Sequence, residues 1–145
     1  MRRVKSGSLL DYSFCRQTVT LYHPTFAPEF KCRRTVFKGA YLDLREMGDT
    51  ASLGESRERR CFLLLPSGGT RPVWSMQPQE QNSFFIEPGD RVMVGEGPEI
   101  TSREEWSHFV PIRVPGLCVV KEVAVKRWKD TVQHVEAQTK WYKYW

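Results

Sequence analysis

From Gln17 onward the chain alternates short apolar runs with clusters of turn-forming residues. Gln17-Thr18-Val19-Thr20-Leu21-Tyr22 alternates polar and apolar residues and has the β-branched content of a strand. Pro24 and Pro28 are expected to break it. A second strand is predicted over Arg34-Thr35-Val36-Phe37-Lys38-Gly39-Ala40-Tyr41-Leu42, with Gly39 marking a bulge or a close backbone approach. Cys61-Phe62-Leu63-Leu64-Leu65 is a continuous apolar run short enough to be a buried strand, and Pro66-Ser67-Gly68-Gly69 terminates it. Residues 70–82 are polar and irregular. After Phe84-Phe85-Ile86, Glu87-Pro88-Gly89-Asp90 fits a type II turn: proline presets φ at the second position and glycine supplies a positive φ at the third. Arg91–Val94 is then a strand and Gly95-Glu96-Gly97-Pro98 another turn. Ser102-Arg103-Glu104-Glu105 has capping-box spacing, which predicts one or two helical turns to about Phe109, stopped by Pro111, Pro115 and Gly116.

The last periodic element runs from Leu117 to Gln138. Val119, Val123 and Val125 alternate with Val120, Glu122 and Ala124. The chain returns with Val132, His134 and Glu136 on one face and Gln133, Val135 and Ala137 on the other, which predicts an antiparallel hairpin around a four-residue loop, Arg127–Asp130. Between Asp43 and Glu58 periodicity stops, and charges, glycines and serines take over. A connection longer than about 12–15 residues is uncommon in a compact domain and usually functional or disordered. Frequent turns, one short helix and no crossover helices predict an all-β fold, a small antiparallel barrel or sandwich. The chain divides into an arm (1–16), a β-barrel domain (17–139) and an aromatic and basic tail (140–145).

Composition narrows the class. With 145 residues, 40% hydrophobic and 27% charged, the chain suits one soluble globular domain. No apolar run approaches the roughly 18–20 residues of a membrane span, and the basic N-terminus lacks the apolar core of a secretory signal. Cys15, Cys32, Cys61 and Cys118 show no C-x-x-C spacing, so free, mostly buried thiols are expected. The net charge of +5 is unevenly spread: residues 1–16 and 126–145 each carry +3, and the body between them −1. Basic ends suit contact with phosphates or an acidic neighbour, which makes Arg2, Arg3 and Lys5 candidate interface residues.

A search for catalytic chemistry finds little. No P-loop, G-x-G-x-x-G or G-x-S-x-G pattern occurs, and Ser67 lies in a turn without a nucleophile-elbow context. Asp43 with Glu46 and Glu104 with Glu105 are carboxylate pairs. The first falls in the long loop and the second in a helix's first turn, where acids suit the dipole. His134 is expected to be a hydrogen-bonded structural residue. The three histidines, His23, His108 and His134, lie far apart in sequence, so no metal site, cofactor or catalytic residue is assigned and a non-enzymatic role is expected. The segment Trp141-Tyr142-Lys143-Tyr144-Trp145 is a candidate interface, because clustered aromatics usually mark contacts. Packing back on the chain's own barrel and stacking on bases are the alternatives.

The order of these elements resembles a family of small neck and minor capsid proteins of long-tailed phages and prophages and, more distantly, their head-closure (stopper) proteins. The resemblance covers roughly residues 17–138 and rests mainly on Glu87-Pro88-Gly89-Asp90-Arg91-Val92-Met93-Val94-Gly95-Glu96 and on the Gln133-His134-Val135-Glu136 end of the hairpin. It implies a β-barrel subunit made in the bacterial host cytoplasm. The subunit would assemble in the virion as a homo-oligomeric ring between portal or adaptor and tail proteins, with packaged double-stranded DNA in the channel and no membrane partner. It also implies that the long loop faces the bore. That loop carries Asp43, Arg45, Glu46, Asp49, Glu55, Arg57 and Glu58, a net negative set that would repel DNA and favour a plug or low-friction lining over a clamp. A tail-terminator or tail-completion protein and a nucleic-acid-binding small barrel are the alternative functions.

Overall fold

The computed structural model describes residues 11–45, 58–77 and 82–142. Eight strands and one helix occur among them: β1 (Gln17–Thr25), β2 (Lys31–Arg45), β3 (Glu58–Pro66), β4 (Val73–Trp74), β5 (Ser83–Phe84), β6 (Arg91–Val94), α1 (Arg103–His108), β7 (Leu117–Trp128) and β8 (Thr131–Tyr142). Six of the strands close an antiparallel barrel in the order β1-β2-β3-β8-β7-β6, with β6 returning to β1, while β4 and β5 form a small parallel pair. Of the two architectures expected, the fold is the barrel.

The interior follows from alternation. Val19 and Leu21 of β1, Phe37 of β2, Cys61, Leu63 and Leu65 of β3, Val92 of β6, Cys118 and Val120 of β7, and Val135 and Ala137 of β8 meet in one core with Phe84 and Ile86. Phe37 and Phe84 pack edge to face at 5.1 Å, and each fully buried side chain of this size contributes about 1.5–3 kcal/mol. The continuous apolar run of β3 is explained by its position: inward Cys61, Leu63 and Leu65 are buried, and outward Leu64 is buried as well. All four cysteines are free thiols, three of them buried.

β1 is covered on both faces, so Val19 to Tyr22 are all buried. On its outer face Tyr22 meets Ile100, Trp106, Phe109 and Leu117 in a second, largely aromatic cluster under α1. Polar bonds fasten this cap. The Thr20 hydroxyl donates to the Gly95 carbonyl at 2.7 Å and accepts from Gly97 N–H at 2.9 Å, and Tyr22 donates to the Pro98 carbonyl at 2.6 Å. Arg91 donates to the carbonyls of Trp106 (2.7 Å) and Phe109 (2.5 Å), with its guanidinium 3.8 Å from the Trp106 ring centroid. The helix begins at the predicted cap, where Ser102 Oγ accepts from Glu105 N–H at 3.0 Å. The Glu105 carboxylate reaches one residue further back than a capping box requires, to the N–H and hydroxyl of Thr101, and these bonds lower its pKa.

Several sequence expectations are revised. Pro24 does not end β1, which continues to Thr25 with Pro24 opposite Cys32. β6 stops at Tyr22, so Pro24 lies past it on a flank that tolerates a missing N–H. The hairpin loop has two residues instead of four: Trp128 pairs with Thr131, and Lys129 and Asp130 both adopt positive φ, 52° and 66°, as a type I′ turn requires. Gly39 is a bulge residue as well as a close approach. Its φ is +102°, the β1–β2 register shifts beside it, and a Cβ there would stand 2.5 Å from Arg71 Nε.

Candidate functional site

Antiparallel order places the end of β2, the start of β3 and the end of β8 at one end of the barrel. Glu58 pairs with Tyr142, and Arg59 with Trp141. The described strand ends at Arg45, Glu58 and Tyr142 therefore lie together at this end. Within the predicted channel loop, Asp43 and Arg45 belong to β2, opposite Phe62 and Arg60, and Glu58 opens β3. Glu46, Asp49, Glu55 and Arg57 lie outside the described residues. So do Arg2, Arg3 and Lys5 of the arm and Lys143, Tyr144 and Trp145 of the tail. β8 runs on to Tyr142, so the barrel extends beyond the expected boundary at residue 139. Trp141 is partly buried and packs against the barrel core.

This end also carries a charge arrangement that strand periodicity alone did not single out. Arg60 and Lys140 are direct cross-strand partners, and like charges opposite one another destabilise a sheet. A bulge in β7 between Val120 and Glu122 puts Lys121 beside them. Arg60, Lys121 and Lys140 line an open groove of about 550 Å³, shared with Glu122 and Gln138. Such a groove can hold anionic groups.

At the segment 11–16, Tyr12 and His134 are joined by a 2.6 Å hydrogen bond to Nδ1, and His134 Nε2 lies 2.9 Å from the Glu136 carboxylate. His134 is thus the hydrogen-bonded strand residue the sequence suggested. Burial pushes the Tyr12 hydroxyl up to about 12. Arg71 ties the same segment down by donating to the carbonyls of Tyr12, Cys15 and Gly39.

A second polar cluster joins residues far apart in sequence. The type II turn is formed as predicted: Gly89 has φ +97°, and Asp90 N–H donates to the Glu87 carbonyl at 3.1 Å. Two backbone bonds clamp the turn to β7, Gly89 N–H to the Val120 carbonyl (2.9 Å) and Val120 N–H to the Asp90 carbonyl (2.8 Å). The Asp90 carboxylate, only 3% exposed, accepts from Glu87 N–H at 3.0 Å and faces His23 Nδ1 at 2.9 and 3.1 Å. Glu87 Oε2 stands 3.7 Å from the same nitrogen. The hydrogen bond to Asp90 raises the His23 pKa against the opposing effect of burial. Asp90 is also raised, because its burial outweighs the attraction of His23. Nearby Cys32 is pushed up to about 11, first by burial and then by the Asp90 charge, which keeps it a protonated thiol. Sequence separation hid this grouping. The one local signal was a Pro-Gly turn with an acid at each corner.

Comparison with known protein families, with curated proteins and with solved structures finds no match to this chain.

Proposed function

We propose that this protein is a structural subunit of the head–tail neck of a tailed phage, assembling as a closure or adaptor ring between portal and tail. The observation that carries the reading is the pairing of Glu58 with Tyr142. One end of a closed barrel emits both the long connection (46–57) and the C-terminal segment, a suitable layout for one projection into a channel and another onto a neighbour. A ring uses heterologous contacts, different surfaces of each copy meeting around the axis. A barrel whose strands are already paired leaves those contacts to loops, termini and side chains. The chemistry available at this end is charge recognition by Arg60, Lys121 and Lys140.

Electron microscopy and native mass measurement of the protein mixed with the portal and tail proteins encoded beside it provide the test. The expected result is a ring of this chain on one of those partners. A monomer alone and in every mixture would overturn the reading. Binding first to the tail tube rather than to the portal would move the protein to the tail-terminator role.

The basic groove favours a second reading, a small barrel that binds nucleic acid. It predicts salt-dependent binding of single strands that weakens when Lys121 and Lys140 are replaced by glutamine. No measurable binding at low salt would dismiss it.

A further inference from the structure

We infer that His23, Glu87 and Asp90 form a binding site for a divalent transition-metal ion, with zinc the best match. Each of the three side chains offers a ligand atom, and those atoms all lie within 4.8 Å of one another. Ligand atoms about 2.0–2.1 Å from a tetrahedral zinc are separated by about 3.3 Å. The separations from His23 Nδ1, which are 2.9 and 3.1 Å to Asp90 and 3.7 Å to Glu87, bracket that value. An ion would take the place of the hydrogen-bonded proton between imidazole and carboxylate with only small side-chain shifts.

The turn that carries both acids, and the His23–Asp90 pair, are held before any ion arrives. Asp90 and Glu87 occupy the two corners of a turn bonded to β7 at Val120 and closed by its own Glu87-to-Asp90 contacts. His23 sits on β1 in register with Arg33, and its ring packs T-shaped with Phe85, centroids 5.3 Å apart. Such fixing of ligands by a surrounding shell is what gives a metal site its affinity. Two carboxylates offset the charge of a divalent ion. Arg33, a positive charge acting on the imidazole, donates to the Ser83 carbonyl at 3.1 Å.

Chemistry selects the ion. One imidazole with two carboxylates suits zinc and neighbouring first-row ions, whereas calcium and magnesium prefer all-oxygen sets. Three protein ligands leave a position open. Glu87 is half exposed, and His23 also lines an open cavity of about 490 Å³ together with Cys32, Met76, Phe85 and the cationic Lys31 and Arg33. The inference is independent of the neck reading.

The test uses the full chain, stripped with a chelator and titrated with zinc alone by calorimetry and with cobalt(II) by visible absorption. The expected result is saturable binding of one ion per chain, with a cobalt spectrum of a low-symmetry nitrogen and oxygen site. Glu87→Gln, at a half-exposed position that the fold tolerates, is expected to weaken binding by about 10-fold or more while leaving the unfolding curve unchanged. His23→Gln is expected to abolish binding, and His108→Gln to leave it intact. Absence of binding by the native chain overturns the proposal. So does zinc affinity unchanged in folded Glu87→Gln and His23→Gln, or affinity that depends on Cys32 instead, as a Cys32→Ser chain would reveal.

Discussion

The barrel interior and the cap on its outer face are both apolar clusters, yet they are built in opposite ways. The interior is mainly aliphatic, and most of its side chains arrive by alternation along the six barrel strands, with Phe84 and Ile86 added from outside them. The cap under α1 is aromatic, and it is fastened by polar groups: Thr20, Tyr22, Arg34 and Arg91 all bond to carbonyls of the segment that covers them. One cluster therefore depends on volume and the other on a few directed bonds. Cutting a bond in the cap loosens one segment, whereas removing volume from the interior is felt by every strand.

The largest expected effect comes from Phe37→Ala, which empties the interior beside Phe84 and costs about 3–5 kcal/mol. Urea unfolding measures it, with all probes shifting together. A loss below about 1 kcal/mol would mean that the interior collapses around the gap and does not behave as one packed unit. Arg91→Met comes next. It leaves the Trp106 and Phe109 carbonyls without their charged donor, at about 1.5–3 kcal/mol. Hydrogen exchange should speed up in residues 100–114 before it does so in β3 or β8, and uniform acceleration would erase the distinction between the two clusters.

Tyr12→Phe is smaller, about 0.5–1.5 kcal/mol at neutral pH. It also carries a pH signature. The folded pKa of Tyr12, about 12, lies above the unfolded value of about 10. The stabilisation is therefore complete below pH 10 and is lost as pH rises from about 10 to about 12. The stability difference between native and variant chains should fall across that window, and a flat difference would show that the hydroxyl is not buried. The smallest change has the opposite sign. Replacing Lys129-Asp130 with Asn-Gly relieves two positive-φ positions, and about 0.5–1 kcal/mol of added stability is expected in thermal unfolding.

Legibility follows the same division. Alternation in Gln17–Tyr22, the apolar run Cys61–Leu65, the Pro88-Gly89 turn and the cap at Ser102 were readable because each is decided by neighbours in sequence. The two-residue hairpin loop was not, since Trp128 pairs across the strands and the turn lacks the glycine that usually announces a type I′ geometry. Barrel closure, the cap's fastening by Arg91 and Arg34, and the meeting of His23 with Glu87 and Asp90 depend on which strands become neighbours. A period-two pattern carries no information about that. The predicted interface residues Arg2, Arg3, Lys5, Lys143, Tyr144 and Trp145 remain defined by composition alone, whereas Trp141 is placed, partly buried, against the core.

β6 is the narrowest stave of the cylinder. β1 and β2 share nine residue pairs, but β6 meets β7 through three. Load that slides strands past one another will part the wall there first. The result would be an open six-stranded sheet with every hairpin intact and two new edges ready to recruit another chain. Residues 95–116, which join β6 to β7, bridge this seam: Val94 N–H donates to the Gly116 carbonyl at 2.9 Å, and Arg91 grips the helix above it. The cap thus works as a hoop, and its bonds set the force at which the cylinder splits.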